Sequence, residues 1–385
     1  MKLLVQLFLC FVVVQANGRY VTKWKKNKKT GIPKHLITFN TGLATFLQFY
    51  DQRRNHIDDA ILHADPDIIC LNEIWYAEDL VLIQKSLRRK FPYSFSKIHN
   101  DDTILLNQQQ LKKHPCNPVN FQKVLKCFLS YCNALDSADE HIECLILRCE
   151  AARSLSNDCL ACLIVSGFNR SVQQCVSSTP EKQIGTINGP GLALFSKYPM
   201  TQRKAQSLIP GIQKPFSRWL LSAKVKGIGK IGCTHLPSAI ASRYIDPVSP
   251  PLFSTYKEEN LNNTLRILEF FKAENKYILL GDLNQSPRVQ ATNITPEFED
   301  NYKQFLSSGL SNPYVDAVGL PTYGIVNSLS RNRSGNYILD HIVHKGFHVK
   351  STRRVFDRFI DVDGQNIPLS DHYGVSVTFQ TKKCA

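Results

Sequence analysis

Apolar residues recur along the chain in short runs that end in polar side chains. Tyr277–Leu280 runs into Gly281-Asp282-Leu283-Asn284, and Leu36–Phe39 runs into Asn40. Residues 67–73 (DIICLNE) end in Glu73, 230–236 (KIGCTHL) contain His235, 337–341 (YILDH) carry Asp340, and 369–372 (LSDH) carry Asp371 and His372. Each run has the length and content of a strand that delivers a polar group at its end. Asp282 and Asn284 lie two apart. On an extended backbone such side chains share a face, so a carboxylate and a carboxamide converge on one phosphate, metal or water. The plain alternative is a strand followed by a turn, with Asp and Asn in turn roles.

Between these runs the apolar spacing becomes helical. It predicts helices over residues 44–63, stopped by Asp65-Pro66, over about 78–90, and over 254–275. The run 67–74 is almost continuously apolar and predicts a strand buried on both faces, where Glu73 needs a cation to offset its burial. A strand is also predicted over 219–225, and in GPGLALFSKYPM Gly189 and Gly191 let the chain turn or let a ligand approach the backbone. A loop with four prolines, 237–251, separates His235 from the helix that leads into Tyr277.

Residues 116–175 break this rhythm. They hold eight of the 12 cysteines, at 116, 127, 132, 144, 149, 159, 162 and 175, within mainly helical sequence. Eight closely spaced cysteines behind a leader argue for a disulfide framework, with 105 pairings that sequence leaves open. Cys159 and Cys162 have zinc-ligand spacing, but no second such pair or paired histidine accompanies them. Cys70 and Cys233 fall in predicted strands as core residues or a pair, and Cys384 lies in the tail.

Composition narrows the class. A chain of 385 residues with 43% hydrophobic content is globular, and 47 Lys and Arg against 32 Asp and Glu give a net charge of +15 that suits an anionic partner, nucleic acid or an acidic membrane surface. Residues 1–18 have one lysine, an apolar core and a small residue at Ala16, the outline of a signal peptide too short to span a bilayer. Residues 19–34 form a lysine-rich arm. Setting aside Asn284-Gln-Ser, four glycosylation sequons at Asn169, Asn262, Asn293 and Asn332 fit an extracellular surface or a lumen of the secretory or endolysosomal pathway.

The motifs TFN, NE, THL, GDLN, LDH and SDH, in that order from Thr38 onward, resemble the endonuclease/exonuclease/phosphatase superfamily. These are metal-dependent phosphodiesterases that include pancreatic-type deoxyribonucleases, abasic-site endonucleases and neutral sphingomyelinases. The resemblance implies an α/β (α+β) four-layer sandwich of two packed mixed β-sheets flanked by helices. The catalytic domain would comprise residues 35–115 and 176–385, with 116–175 inserted as a disulfide-rich helical lobe. It also implies a metal group of Asn40, Glu73 and Asp371 holding Mg²⁺, with Mn²⁺ or Ca²⁺ as alternatives. His235 and Asn284 would hold phosphate oxygens, and Asp282 would deprotonate or orient the attacking water. Asp340 or Asp371 would hold His372 as base or proton-bearing clamp, Asp340 being the one that matches the family's histidine-orienting position. The stretch LNEIWYAEDL tilts the reading toward the sphingomyelinase branch, with the lobe as a membrane-docking element. A secreted nuclease is the alternative, and a non-catalytic binding module on the same fold is a third. A monomer is expected.

Overall fold

The computed structural model describes residues 34–98, 114–135, 138–167, 171, 175–176, 187, 189–212, 214–240, 244–245, 251–330 and 335–380. The leader, the basic arm up to residue 33, Cys384, Asn169 and Asn332 lie outside the described residues, while Lys34, expected in the arm, opens the first strand. The strands are β1 (Lys34–Leu43), β2 (Ile68–Ile74), β3 (Tyr93–Phe95), β4 (Ala193–Ser196), β5 (Met200–Ser207), β6 (Trp219–Val225), β7 (Gly229–His235), β8 (Tyr277–Asp282), β9 (Tyr323–Gly324), β10 (Asn336–Tyr337), β11 (Asp340–Lys345), β12 (His348–Val355), β13 (Phe359–Val362), β14 (Gln365–Pro368) and β15 (Gly374–Gln380). Two sheets dominate, one ordered β12-β15-β1-β2-β4-β3 and the other β11-β8-β7-β6-β5. In each, one parallel pair, β1 with β2 and β7 with β8, sits among antiparallel neighbours.

The period of two along these strands builds the layers. Leu36, Ile68, Cys70, Ile231, Cys233, Ile278, Leu280 and Ile342 pack together between the sheets. The alternate residues Ile37, Phe39, Ile69 and Leu71 face outward under the helices 57–64 and 77–87. Leu279 and Val343 do the same on the other side, under Ile267 and Phe271 of the helix Tyr256–Phe271. Helix, sheet, sheet, helix is the four-layer α/β sandwich.

A disulfide and side-chain hydrogen bonds cross between the sheets. Cys70 and Cys233 form a disulfide. Nearer the site, Asn72 donates from Nδ2 to the Thr234 carbonyl at 2.8 Å. That carbonyl is pressed against Gly281, where a Cβ would lie 1.9 Å from the Thr234 oxygen and φ is +153°. Gly281→Ala should therefore cost about 3 kcal/mol or more, because carbonyl, strand pairing and inter-sheet hydrogen bond must all shift. A thermal melt within a degree of wild type would contradict this.

The cysteine-rich segment forms helices Pro118–Tyr131, Ala138–Leu147, Ala151–Ser154 and Asn157–Ser166. Its eight cysteines pair internally as 116–159, 127–149, 132–144 and 162–175. Cys159 and Cys162 are thus both oxidised, which removes the thiolates a zinc site would need. The segment's apolar residues join the outer-face core of the first sheet in one cluster. It is docked on the sandwich, and Phe46 N–H donates to the Val165 carbonyl at 3.3 Å across the junction.

Two local expectations are corrected. The single helix over 44–63 is instead two, Tyr50–Arg54 and Ile57–Ala64, because Phe49 is left-handed (φ 58°) and the chain turns again at Asn55 and His56. The run 337–341 is split between β10 and β11, with Ile338 and Leu339 buried between them.

Candidate active site

The alternation that builds the inter-sheet core also builds the site. Continuing the inward set along each strand leads from Leu36 and Thr38 to Asn40 on β1, and from Ile68 and Cys70 to Asn72 on β2. It likewise leads from Ile231 and Cys233 to His235 on β7, and from Ile278 and Leu280 to Asp282 on β8. On antiparallel β11 the same set begins at Asp340, paired in register with Asp282. The ends of parallel strands and the starts of antiparallel ones meet at one end of the sandwich, so these polar groups cluster where the apolar layer stops.

Glu73 breaks the pattern. Its position belongs to the outward set with Ile69 and Leu71, yet it takes φ 58° and its Oε1 accepts from Asn40 Nδ2 at 3.0 Å. A non-glycine residue held left-handed at the end of a strand is local strain that redirects the carboxylate into the cleft. Asn284 is also left-handed, at φ 49°. The strand ends at Asp282, so the shared face of an extended backbone does not bring Asn284 to the site. Instead Asp282 Oδ1 accepts the Asn284 N–H at 2.9 Å in a turn, and Asn284 Nδ2 is anchored to the Leu236 carbonyl at 2.9 Å.

Asn40 is the hub. Its Nδ2 donates to Glu73 Oε1 and to Asp282 Oδ2 (2.9 Å), while its Oδ1 accepts the Gly42 N–H (3.0 Å). It therefore holds two carboxylates by its nitrogen, while its oxygen takes a backbone N–H. His235 Nε2 stands 3.6 Å from Asp282 Oδ2 and 3.9 Å from Glu73 Oε1. His372 Nδ1 lies 2.8 Å from Asp340 Oδ2, so its partner is Asp340, with Asp282 Oδ2 at 3.8 Å. Asp371 turns away from that pair: its Oδ1 accepts from Ser370 Oγ and packs over Gly42, where a Cβ would come within 2.5 Å. The 369–372 loop is fixed to β1 by the buried Arg53, which donates to the carbonyls of Leu369, Thr41 and Gly42.

Burial sets the protonation states. For His372 burial opposes the charge, but Asp340 and then Asp371 and Asp282 outweigh it and raise the imidazole to about 10. His235 is held well below its ordinary value by burial, Arg218 and His372, and is a neutral imidazole. Burial and the nearby Asp340 lift Asp282 to about 7, against the pull of His372 and the hydrogen bonds from Asn40 and Asn284. Glu73 is raised by burial and by Asp371.

The donor set fits a hard divalent cation. Glu73 and Asp371 both line the cleft, and the Asp371 charge opposes ionisation of Glu73, a repulsion that oxygen coordination to a cation would relieve. Ligand atoms of Glu73, His235 and Asp282, and separately of Asp282, Asp340 and His372, lie within 4.8 Å of one another.

The cleft holds about 200 Å³. All of the residues singled out from sequence line it or support its wall, Asn40 and Asp340 from behind. Sequence reasoning missed Arg218, Trp75 and Phe216, which also line it. Arg218 is buried, its Nη1 has no hydrogen-bond partner among the described residues, and the charges of Glu73, Glu259 and Asp282 act on it against its burial. An arginine directly before the apolar run 219–221 was the available signal.

The sequence matches the Endonuclease/Exonuclease/phosphatase family over residues 37–372. No curated protein matches it. Among solved structures it is similar to an endonuclease/exonuclease/phosphatase family protein from Leptotrichia buccalis C-1013-b (14% identity, 90% of this chain and 99% of that one, TM-score 0.50). It is also similar to TDP2 of D. rerio complexed with a single-strand DNA product (12%, 91% and 99%, 0.50). Sphingomyelinase C from Streptomyces griseocarneus aligns at 14% identity over 90% of this chain and 99% of that one, with TM-score 0.46. With the family's pattern spanning both sheets and every strand end that feeds the cleft, the chain belongs to the Endonuclease/Exonuclease/phosphatase family.

Proposed function

We propose that this protein is a secreted, Mg²⁺-dependent phosphodiester hydrolase that acts on a phospholipid of the sphingomyelin type. Members of its family are phosphodiesterases and phosphatases and typically use divalent metals. The observation that carries the lipid reading is the lining of the cleft. Phe46, Trp75, Ile142, Ile164, Phe216 and Ile240 surround the polar cluster, and among the described lining residues Arg218 is the only lysine or arginine. A groove that tracks a nucleic-acid backbone gains its affinity from several such cations. The charge of +15 favours the nuclease alternative, but among the described residues lining this cleft only Arg218 contributes to it.

Phe46 at the rim is 57% exposed, and Val119, Leu129 and Tyr131 of the first lobe helix are also exposed, which supports contact with a lipid surface. The five disulfides among the described residues support a secreted or lumenal location. No described helix is long and apolar enough to cross a membrane. The protein would work as a monomer, since one chain supplies the whole cluster.

In the reaction, water adds to phosphorus as the bond to the leaving alcohol breaks, giving a phosphomonoester and an alcohol. Asp282, lifted toward neutrality, takes the water's proton, and the departing alkoxide is reprotonated from solvent. His372, kept charged by Asp340, holds a non-bridging phosphate oxygen through Nε2, while His235 and Asn284 orient the phosphate. A cation held by Glu73 and Asp371 would neutralise charge on the phosphate oxygens and favour loss of the alkoxide. Hydrolysis of bis(p-nitrophenyl) phosphate should fall by about 10²-fold or more in excess chelator and return with Mg²⁺. Full activity in chelator would rule the reading out.

A further inference from the structure

Beside the catalytic cleft lies a second cavity of about 70 Å³. Ile146, Leu160 and Ile164 of the cysteine-bonded helices form one wall, and Pro215, Phe216 and Pro237 of the sandwich form the other. Ile164, Phe216, Arg218, Ser238 and Ile240 line both this cavity and the catalytic cleft, so the two adjoin. Its remaining charges cancel. Lys214 Nζ pairs with Glu259 at 3.2 Å, and the Tyr244 hydroxyl contacts both.

We propose that this cavity is a subsite for the apolar organic group of the substrate, a short aliphatic segment adjoining the phosphate, built jointly by the helical lobe and the sandwich. The proposal rests on the phosphodiesterase reading above. Arg218 fixes the order of the groups. Arg218 lines both spaces, and among the described residues its buried Nη1 has no hydrogen-bond partner, so its uncompensated charge favours an anionic phosphate oxygen between them. With the phosphate at that junction, one ester substituent projects past Phe216 between Ile146, Leu160 and Ile164. A nucleoside has no apolar segment to leave in such a space, whereas an alkyl chain does. The volume is roughly half that of a ~150 Å³ cavity that admits benzene, so about three carbons fit.

The test uses the full chain with Mg²⁺ and two series of probes with alkyl groups from methyl to octyl. Alkyl(methyl)phosphinates, anionic mimics whose P–C bonds are not hydrolysed, report binding by calorimetry. Alkyl p-nitrophenyl phosphates report turnover. Affinity for the phosphinates should rise about three- to fourfold per carbon through roughly the third carbon and then level off. In Ile146→Trp the rise should disappear. In Leu160→Ala the levelling should move to longer chains, an independent reading if the tryptophan variant folds poorly. A flat series in wild type would overturn the subsite, as would a rise continuing to octyl equally in wild type and Ile146→Trp. If the binding series behaves as stated but no p-nitrophenyl ester is hydrolysed, the subsite stands and the hydrolase reading falls. If turnover is normal but indifferent to chain length and binding is flat, the reverse holds.

Discussion

Glu73→Gln is expected to hydrolyse phosphodiesters at least about 10³-fold more slowly than wild type, the scale of several kcal/mol that a bound cation supplies. The substitution keeps the shape of the side chain but removes the charge that anchors the cation. Asn40 Nδ2, at 3.0 Å from Oε1, can still donate to an amide oxygen. Stability should move the other way. Glu73 has a raised pKa because burial and Asp371 oppose its ionisation, so at neutral pH without a cation its charge is a cost to the folded state. In chelator the variant should melt no lower than wild type, and calorimetry should show weakened Mg²⁺ binding. Loss of activity with a large fall in melting temperature and intact Mg²⁺ affinity would mean that Glu73 is structural.

Asp340→Asn should lower turnover by about 10²–10⁴-fold with substrate binding less affected, and His372→Ala should be comparably damaged. The 2.8 Å contact from Asp340 Oδ2 to His372 Nδ1 is what keeps the imidazole charged against its burial. An asparagine can still accept that hydrogen bond, but it cannot supply the charge. The double variant should be little worse than either single one, because the pair acts as a unit. Losses that multiply in the double variant, or near-normal turnover in Asp340→Asn, would break the pairing.

Much of this site was legible because the period of a strand is simple. Apolar runs ending in Asn40, His235 and Asp282 are inward-facing sets that reach the end of a core, the parallel pairs of mixed sheets bring those ends together, and antiparallel β11 begins beside them at Asp340. What the pattern could not show was conformation that departs from the period. Glu73 and Asn284 reach the cleft by left-handed backbone, which no apolar spacing records. Asn40 offered an oxygen and a nitrogen, and only the placement of Glu73, Asp282 and the Gly42 N–H decides which faces the carboxylates. The disulfides were foreseen as a framework but not as pairs, since pairing depends on how the helices stack. Arg218 was overlooked because a single arginine at a strand's start normally reads as surface.

The most direct measurement is hydrolysis of sphingomyelin vesicles and of plasmid DNA by the same preparation, each with Mg²⁺ and with excess chelator. The account predicts Mg²⁺-dependent release of phosphocholine, with little or no nicking of the plasmid. Nicking of the plasmid without lipid hydrolysis, or lipid hydrolysis undiminished in chelator, would contradict it.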